Sequence, residues 1–516
     1  MNESNRWFQA SVVFIISVIV FLFGLYYFPV VSHDGVVYLT AAKAYLANGL
    51  HGAMGVYNWP FYSVVIADTH IITSLNLLHS AYLLNFIALF LMFWLFVYFV
   101  EVITKRKNLF WYALIIVLSF HYLLVLSHTV IRDNVYYVFY LLSMILFLKN
   151  LEKPSWVVSL LWALITIFSM LFRIEGAIFL VIMPFVVFFY QGNLAQRCYR
   201  FIQLYAINII IAIFLGIYLY SHYRTGAHDL GRFNQVISQF THGVNDAYSR
   251  LSTAIEQTRQ HVLSPIYAAD SGVVFLSGLF FSYFFTLANL LGLAFIILIV
   301  YAWGRRASKL QYAPRWTLWG YIVLNFVITM LYLFQQLFVT ERYLMGMAFS
   351  LLVFAVLALS TLSKEWKLKA FTSEWMRWIY YLMVILLAIN IVSIVIHFGP
   401  SKRYIYRSTQ WIKQNTKPSD KIYSNLGTMP YYSSRNVVGW RCLVFNKSIY
   451  HLTKENKANC FDWSALQNKP WKASNYLVLN IKNKKEANAV LTVMKQKPLQ
   501  IFKSNRKKQV FIFQLR

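Results

Sequence analysis

The chain has 516 residues, 59% of them hydrophobic and only 13% charged, with a mean hydropathy of +0.54. Lys and Arg outnumber Asp and Glu by 47 to 18, a formal net charge of +29. The apolar runs reach the length of about 20 residues that a helix needs to cross the hydrocarbon layer, and they lack strand-period alternation. A polytopic α-helical membrane protein is predicted, and an outer-membrane barrel is disfavoured.

In chain order, eleven spans are expected near residues 8–30, 80–103, 109–127, 134–149, 155–172, 176–191, 201–221, 274–303, 316–339, 343–363 and 378–398. No cleavage site follows the first, so it reads as a retained helix and not a signal peptide. The fourth and sixth are short. Residues 60–78 are apolar but carry Asp68 and His70, and they read as a helix lying at the membrane surface.

Lys and Arg in short loops mark the inner side of a membrane protein. With the N-terminus inside, every inner loop is basic: Arg6, then Lys105–Lys107, Lys149 and Lys153, Arg197 and Arg200, the group 305–315, and the group 364–377. The outer loops of the membrane region hold Lys43, Arg132, Arg173, Arg224, Arg232, Arg250, Arg259 and Arg342. Eleven spans then place the C-terminus outside. The predicted organisation is a membrane domain over 1–398, with outer loops at 31–79 and 222–273, and an extracytoplasmic domain over 399–516.

The last domain alternates helix and strand signals. Tyr404–Gln414 reads as a helix stopped before Pro418; 421–425, 475–481 and 509–515 read as strands, with a further helix near 485–496. A small α/β domain is expected. It carries 23 Lys and Arg against four acids, Asp420, Glu455, Asp462 and Glu486. Outside the membrane such a charge points to anionic headgroups or acidic glycolipids and not to nucleic acid, or else to a solvated basic surface. Cys198 falls on the inner side. Cys442 and Cys460 share the outer domain, where oxidation is permitted, and a disulfide between them is predicted. Seven His residues lie outside, at spacings that fit no metal motif.

Asp34 stands just beyond the first span. A helix over 35–47, ended by Asn48-Gly49, would place Asp34 at its N-cap. The same helix puts Asp34, Tyr38, Ala41, Ala42 and Tyr45 on one face, with Lys43 pointing away. Three outer turns each combine an arginine with an acid: Arg132 with Asp133, Arg173 with Glu175, and Glu341 with Arg342. The positive-inside tendency should deplete arginine there. Each turn can be a local ion pair on a wet surface, worth about 0–1 kcal/mol. Alternatively the three share a pocket that binds an anion, for which the planar guanidinium fork suits phosphate. The acids would hold the guanidinium groups or bind a divalent metal.

The order of these features resembles the GT-C glycosyltransferases that use polyprenyl-phosphate sugars, especially the bacterial protein O-mannosyltransferase-like branch. In that family the first outer loop opens with Asp-Glu-x-x-Tyr, and "DGVVYLTAAKAYLANG" is similar to it at Asp34 and Tyr38. "WPFY", ending at Tyr62, resembles a Pro-Pro-Leu-Tyr-like element, and "RDN", "RIEG" and "ERYLMG" resemble later signatures. The chain departs from the pattern at Gly35, where the second acid is usual, and at Trp59, where the first proline is.

The resemblance implies an inverting transfer at the outer face of a bacterial inner membrane. Asp34 would be the general base, and Arg132, Arg173 and Arg342 would stabilise the leaving phosphate, Arg342 foremost because Tyr343 starts a lipid-flanked helix. Tyr38, Tyr62, Asp133, Glu175, Glu341 and Tyr343 would support them. The implied partners are a polyprenyl-phosphate-linked sugar, membrane lipids and a glycan, lipid or protein acceptor. No cofactor is assigned, and a divalent metal stays open. A lipid-linked-sugar transporter or a non-catalytic envelope assembly protein are the other classes the sequence allows.

Overall fold

The structure is a computed structural model that describes residues 3–224, 232–304, 310, 312–368, 374–395, 402–438, 471, 473–504 and 508–516. The chain forms two compact units. One holds Met1–Ile19, Ala41–Ser127 and Arg132–Val392; the other holds Val20–Thr40, His128–Ile131 and Ser393–Arg516. Helices α1 (Glu3–Tyr27) and α2 (His33–Val56) are divided between the two.

The first unit is helical. It contains α3 (Phe61–Thr73), α4 (Leu77–Thr104), α5 (Phe110–Ser119), α6 (His121–Ser127), α7 (Asp133–Glu152), α8 (Trp156–Phe172) and α9 (Gly176–Ile182). After these come α10 (Leu194–Arg224), α11 (Arg232–His261), α12 (Ser271–Gly304), α13 (Tyr312–Gln336), α14 (Glu341–Lys367) and α15 (Glu374–Val395). Among the described residues seven helices are long and apolar enough to cross a membrane, or eight if the bent pair α5–α6, which turns by 64°, is one span. The protein is a multi-pass membrane protein, and the described residues do not confirm the expected count of eleven. The expected fifth span, α8, has only 17 residues. The expected sixth stops as an α-helix at Ile182 and continues as a 3₁₀ turn over Met183–Phe189. Pro184 explains that stop, since it has no N–H to donate and its ring crowds the preceding turn. The expected fourth span is a full helix of 20 residues. The insertion at 222–273, expected only as a polar loop, contains the 30-residue helix α11.

Helix α14 is the core of this unit: 94% of its apolar 18-residue stretch is buried, against 11% for that of α15 and 22% for that of α1. Small residues make the burial possible, because Gly346, Ala348, Ser350, Ala355, Ala358 and Ser360 let neighbours approach closely. At Gly346 the side chain of Asn325 from α13 leaves no room for a Cβ. Asn325 donates to the Tyr140 hydroxyl at 2.8 Å, and that hydroxyl in turn donates to the Gly346 carbonyl at 3.3 Å. This satisfies polar groups that would otherwise be costly in an apolar interior.

The second unit is built on a five-stranded sheet. Its strands are β1 (Lys421–Ser424), β2 (Asn436–Val438), β3 (Tyr476–Ile481), β4 (Gln500–Lys503) and β5 (Gln509–Gln514), in the order β2-β1-β3-β5-β4. β1 pairs parallel with β2 and β3, whereas β5 pairs antiparallel with β3 and β4. Alternate residues face opposite ways. Ile422, Val478, Val510 and Ile512 pack with Ile405 and Ile412 of α16 (Arg403–Asn415). Tyr423, Leu477, Leu479, Phe511 and Phe513 pack with Ala487 and Val490 of the later helix. The short helix α17 (Met429–Ser433) leads into β2, and that later helix is α18 (Lys484–Met494).

The expected α/β character holds; β2 and β4, three and four residues long, were too short to read. The start of α2 belongs to this unit. Val30 lies in the α16-side core, the Val31 N–H donates to the Tyr432 hydroxyl at 2.9 Å, and that hydroxyl donates to the Pro29 carbonyl at 3.2 Å.

Candidate functional site

The three Arg–acid turns come together in the first unit. They are the entries to α7 and α14 and the turn between α8 and α9. Arg173 is the node, and it is 4% exposed. One guanidinium nitrogen donates to Asp133, and the other donates to Glu175 Oε1 at 2.6 Å. The guanidinium also lies over the rings of Tyr136 and Tyr343, at 5.2 and 4.9 Å from their centroids. A weaker contact of 3.5 Å reaches the Arg342 carbonyl, which also accepts from the Tyr137 hydroxyl. Arg173 thus ties α7, the α8–α9 turn and the start of α14 to one point.

Burial alone would raise the Glu175 carboxyl above its ordinary value. The adjacent Arg173 charge and hydrogen bond outweigh it, and with Arg132 they hold Glu175 at about 2. Glu175 is therefore ionised across the physiological range.

Arg132 and Arg342 are only partly buried. Arg132 lies 5.7 Å from the Tyr57 ring centroid, and its charge reaches Glu175. Arg342 donates to the Tyr343 hydroxyl at 3.2 Å, and the Tyr332 hydroxyl donates to the same oxygen at 3.0 Å. The Tyr343 ring thus faces both Arg173 and Arg342. Glu341 occupies the first turn of α14, where the helix dipole favours an acid. Three arginines and three acids therefore share this end of the unit, only Arg173 of the arginines being buried.

Tyr62 of α3 is fully buried and donates to Asn85 Oδ1 at 3.0 Å, an oxygen that also accepts from Asn134 at 3.3 Å. Burial and then the Asp133 charge hold its hydroxyl above the usual phenol range. Tyr62 is thus joined to the cluster through the first turn of α7.

Asp34 and Tyr38 belong to the second compact unit. The helix begins at His33, and Ser32 Oγ accepts from the Gly35 N–H at 3.1 Å. Ser32 is the N-cap, so the expectation that Asp34 caps α2 is corrected: Asp34 sits in the first turn. Ser32 is held in place by donating to the Val130 carbonyl at 3.3 Å. Gly35 is crowded on two sides, since a Cβ there would stand 2.5 Å from Val31 Cγ1, 3.0 Å from the Val130 Cβ and 3.1 Å from the Val130 carbonyl oxygen. Any side chain at position 35 would press on Val31 and Val130. Tyr38, Ala41 and Ala42 are buried, Asp34 and Tyr45 are partly buried, and Lys43 is exposed. The helix breaks at Asn48 and Gly49, the latter at φ +60°. Burial lowers the His33 imidazole pKa against the pull of the Asp34 charge, so His33 is neutral at physiological pH.

The partners Tyr136, Tyr137 and Tyr332 were not singled out in the sequence. The run "NVYYVFY" within an apolar span was the available signal, since a buried tyrosine hydroxyl needs a polar partner. Cys442 and Cys460 lie outside the described residues, and Cys198 is a free thiol. Among the described residues no three His, Cys, Asp or Glu side chains gather as a metal site.

No protein-family profile matches the chain, and no curated protein does. Its fold is similar to that of the archaeal oligosaccharyltransferase AglB from Archaeoglobus fulgidus, solved in complex with an inhibitory peptide and a dolichol-phosphate. The TM-score is 0.53 at 12% identity, covering 96% of this chain and 73% of that one. The chain has the GT-C fold. ArnT from Cupriavidus metallidurans, solved in the apo state, aligns over 99% of this chain and 98% of its own at TM-score 0.49 and 11% identity.

Proposed function

We propose that this protein is a membrane glycosyltransferase that moves a sugar from a polyprenyl-phosphate donor to an acceptor hydroxyl at the outer face of a bacterial plasma membrane. The observation that carries the reading is the convergence of three Arg–acid turns on one cluster in a GT-C chain. The related fold solved with a dolichol-phosphate supports a lipid-phosphate donor. Residues 1–398 would form the transferase part, and 399–516 would lie outside the membrane.

In the proposed reaction the acceptor oxygen attacks the anomeric carbon as the bond from that carbon to the phosphate oxygen breaks. The electron pair stays on the polyprenyl phosphate, whose negative charge grows. Arg342 and Arg132, the partly exposed arginines, stabilise that charge; fixed charge of this kind often supplies the largest rate term. Arg173 already holds two carboxylates, and it acts as a positioning residue through Asp133, Tyr343 and the start of α14. Asp34 takes the acceptor proton as general base, with inversion at the anomeric carbon. Ser32 caps α2, and Asp34 sits in the first turn of that helix. The acceptor is a glycan, a lipid or a protein.

Two breaks favour a second reading, a lipid-linked-sugar transporter: α12 is interrupted at Gly292 with φ +73°, and α5–α6 bends by 64°. Interrupted spans often mark transport sites. The break at Gly292 has no ionisable neighbour, and the α5–α6 bend has only His121, whereas a site of that kind usually recruits charged side chains.

Incubation of the purified protein with polyprenyl-phosphate sugars and outer-face acceptors separates the two. The transferase reading expects product, and the Asp34→Asn variant should lose about 10²–10⁴-fold in turnover with donor binding unchanged. Near-normal turnover in that variant removes Asp34 from the mechanism. Sugar-lipid movement across liposomes without any transfer product establishes the transporter instead.

A further inference from the structure

Within the second compact unit, a pocket of about 240 Å³ is lined by Tyr26, Tyr27, Arg403, Arg407, Lys503 and Ser504, among others. The described residues lining it include no acid. Tyr26 and Tyr27 end α1, whose Arg6–Tyr27 stretch is long and apolar enough to cross a membrane. A tyrosine pair at the end of such a helix is the usual mark of the headgroup level. The pocket therefore joins the interfacial end of a span to a basic face of the sheet domain.

Contacts with Tyr26 help to fix Arg403 there. Its guanidinium lies 3.7 Å from the Tyr26 ring centroid, and its Nε donates to the Tyr26 carbonyl at 3.0 Å. The second contact satisfies a carbonyl in the last turn of α1, so part of the role of Arg403 is to close that helix. Arg407 and Lys503 are exposed, and nothing about helix closure accounts for them. Arg407 follows Arg403 by four residues on α16, which brings the two onto one helix face. Lys503 adds a third cation from β4, at the sheet edge. Three like charges around one concavity repel each other unless an anion joins them. The volume admits a phosphate group with its ester carbons, and the tyrosine and Ser504 hydroxyls supply further donors.

We infer that this pocket binds the phosphate of an anionic phospholipid headgroup and anchors the sheet domain at the membrane surface where α1 ends. The inference does not rest on the transferase reading, because none of these residues belongs to the cluster around Arg173. Basic pockets beside membrane helices are suited to such headgroups, since each cation near the surface adds a comparable increment of attraction.

The test uses the full-length protein in mixed micelles of phosphatidylglycerol and phosphatidylcholine, with retained lipid counted by native mass spectrometry. The wild-type protein should keep phosphatidylglycerol in preference to phosphatidylcholine. The Arg407→Gln/Lys503→Gln variant should lose that preference by about tenfold or more, as expected for two cations. Arg407→Lys keeps the charge and should retain most of it, which separates the charge effect from damage to the fold. Equal phosphatidylglycerol retention by wild type and double variant overturns the site. Displacement of the lipid by millimolar inorganic phosphate would make the pocket a soluble-phosphate site and overturn the lipid as its occupant.

Discussion

Arginine meets tyrosine in two places in this protein, and the countercharge comes from a different source in each. Around Arg173 it is internal: the side chain is 4% exposed and is held by Asp133 and Glu175, with tyrosine rings at 5.2 and 4.9 Å. Around Arg403 the described residues lining the pocket include no acid, and the guanidinium contacts a ring at 3.7 Å and a carbonyl at 3.0 Å. A buried charge has to be neutralised within the protein, because leaving it unpaired costs several kcal/mol. A charge at the surface can leave neutralisation to a ligand. The same two residue types therefore build a structural node in one place and a receptor in the other. Arg132 and Arg342 stand between these cases, partly exposed at the rim of a balanced cluster.

The largest effect expected from this contrast is on stability. Arg173→Ala would leave the buried Asp133 and the Glu175 carboxylate without their shared cation. A loss of about 3–5 kcal/mol is expected, read as a lowered melting temperature in detergent. Wild-type melting with only transfer lost would make Arg173 a ligand-binding group and break the comparison. Arg342→Ala should do the opposite. It should melt like wild type while transfer falls about 10²-fold, the order seen when one donor to a developing negative charge is removed. Arg342→Lys should recover part of that loss, since a point charge does not reproduce the planar fork. Full activity in Arg342→Ala would leave that side chain no part in binding the donor.

Much of this was legible in the sequence, for specific reasons. Long apolar runs mark helices irrespective of their partners, so a helix lies at each expected place. Whether a helix is long enough to span depends on local breaks. Pro184 and Gly292 signal theirs, but the bend at Phe120 has neither residue type beside it. Arginine at three outer turns violates the loop-charge tendency and so advertised the cluster, whereas the choice of Arg173 as the buried member depends on packing among α7, α8 and α14. The cap of α2 was misread for a similar reason. Ser32 and Asp34 are both good caps in isolation, and the contact with the Val130 carbonyl, 98 residues away, selects Ser32. The tight fit of Gly35 against Val130 was likewise invisible until residues 128–131 were placed beside it.

The smallest expected effect sharpens the internal case by titration. Glu175 has a folded value of about 2 against an ordinary 4.5, because Arg173 outweighs the opposing effect of burial. A carboxyl whose folded value is lowered stabilises the protein fully above its unfolded value, and that stability is lost as pH falls toward the folded one. The window therefore runs from about pH 4.5 down to about pH 2. At pH 3 the unfolded carboxyl is mostly protonated and the folded one mostly ionised, so about 2 kcal/mol of the contribution should be gone. Other carboxyls titrate in the same range, which makes the useful measurement a difference. Glu175→Gln has no charge to lose, so its melting temperature should fall less steeply than that of wild type between pH 5 and pH 3. The two curves should converge at the acid end. Parallel curves would mean that Glu175 has the same proton affinity in the folded and unfolded chain. The pairing with Arg173 would then contribute no net stability, and the contrast between a node neutralised from within and a pocket neutralised from without would lose its first half.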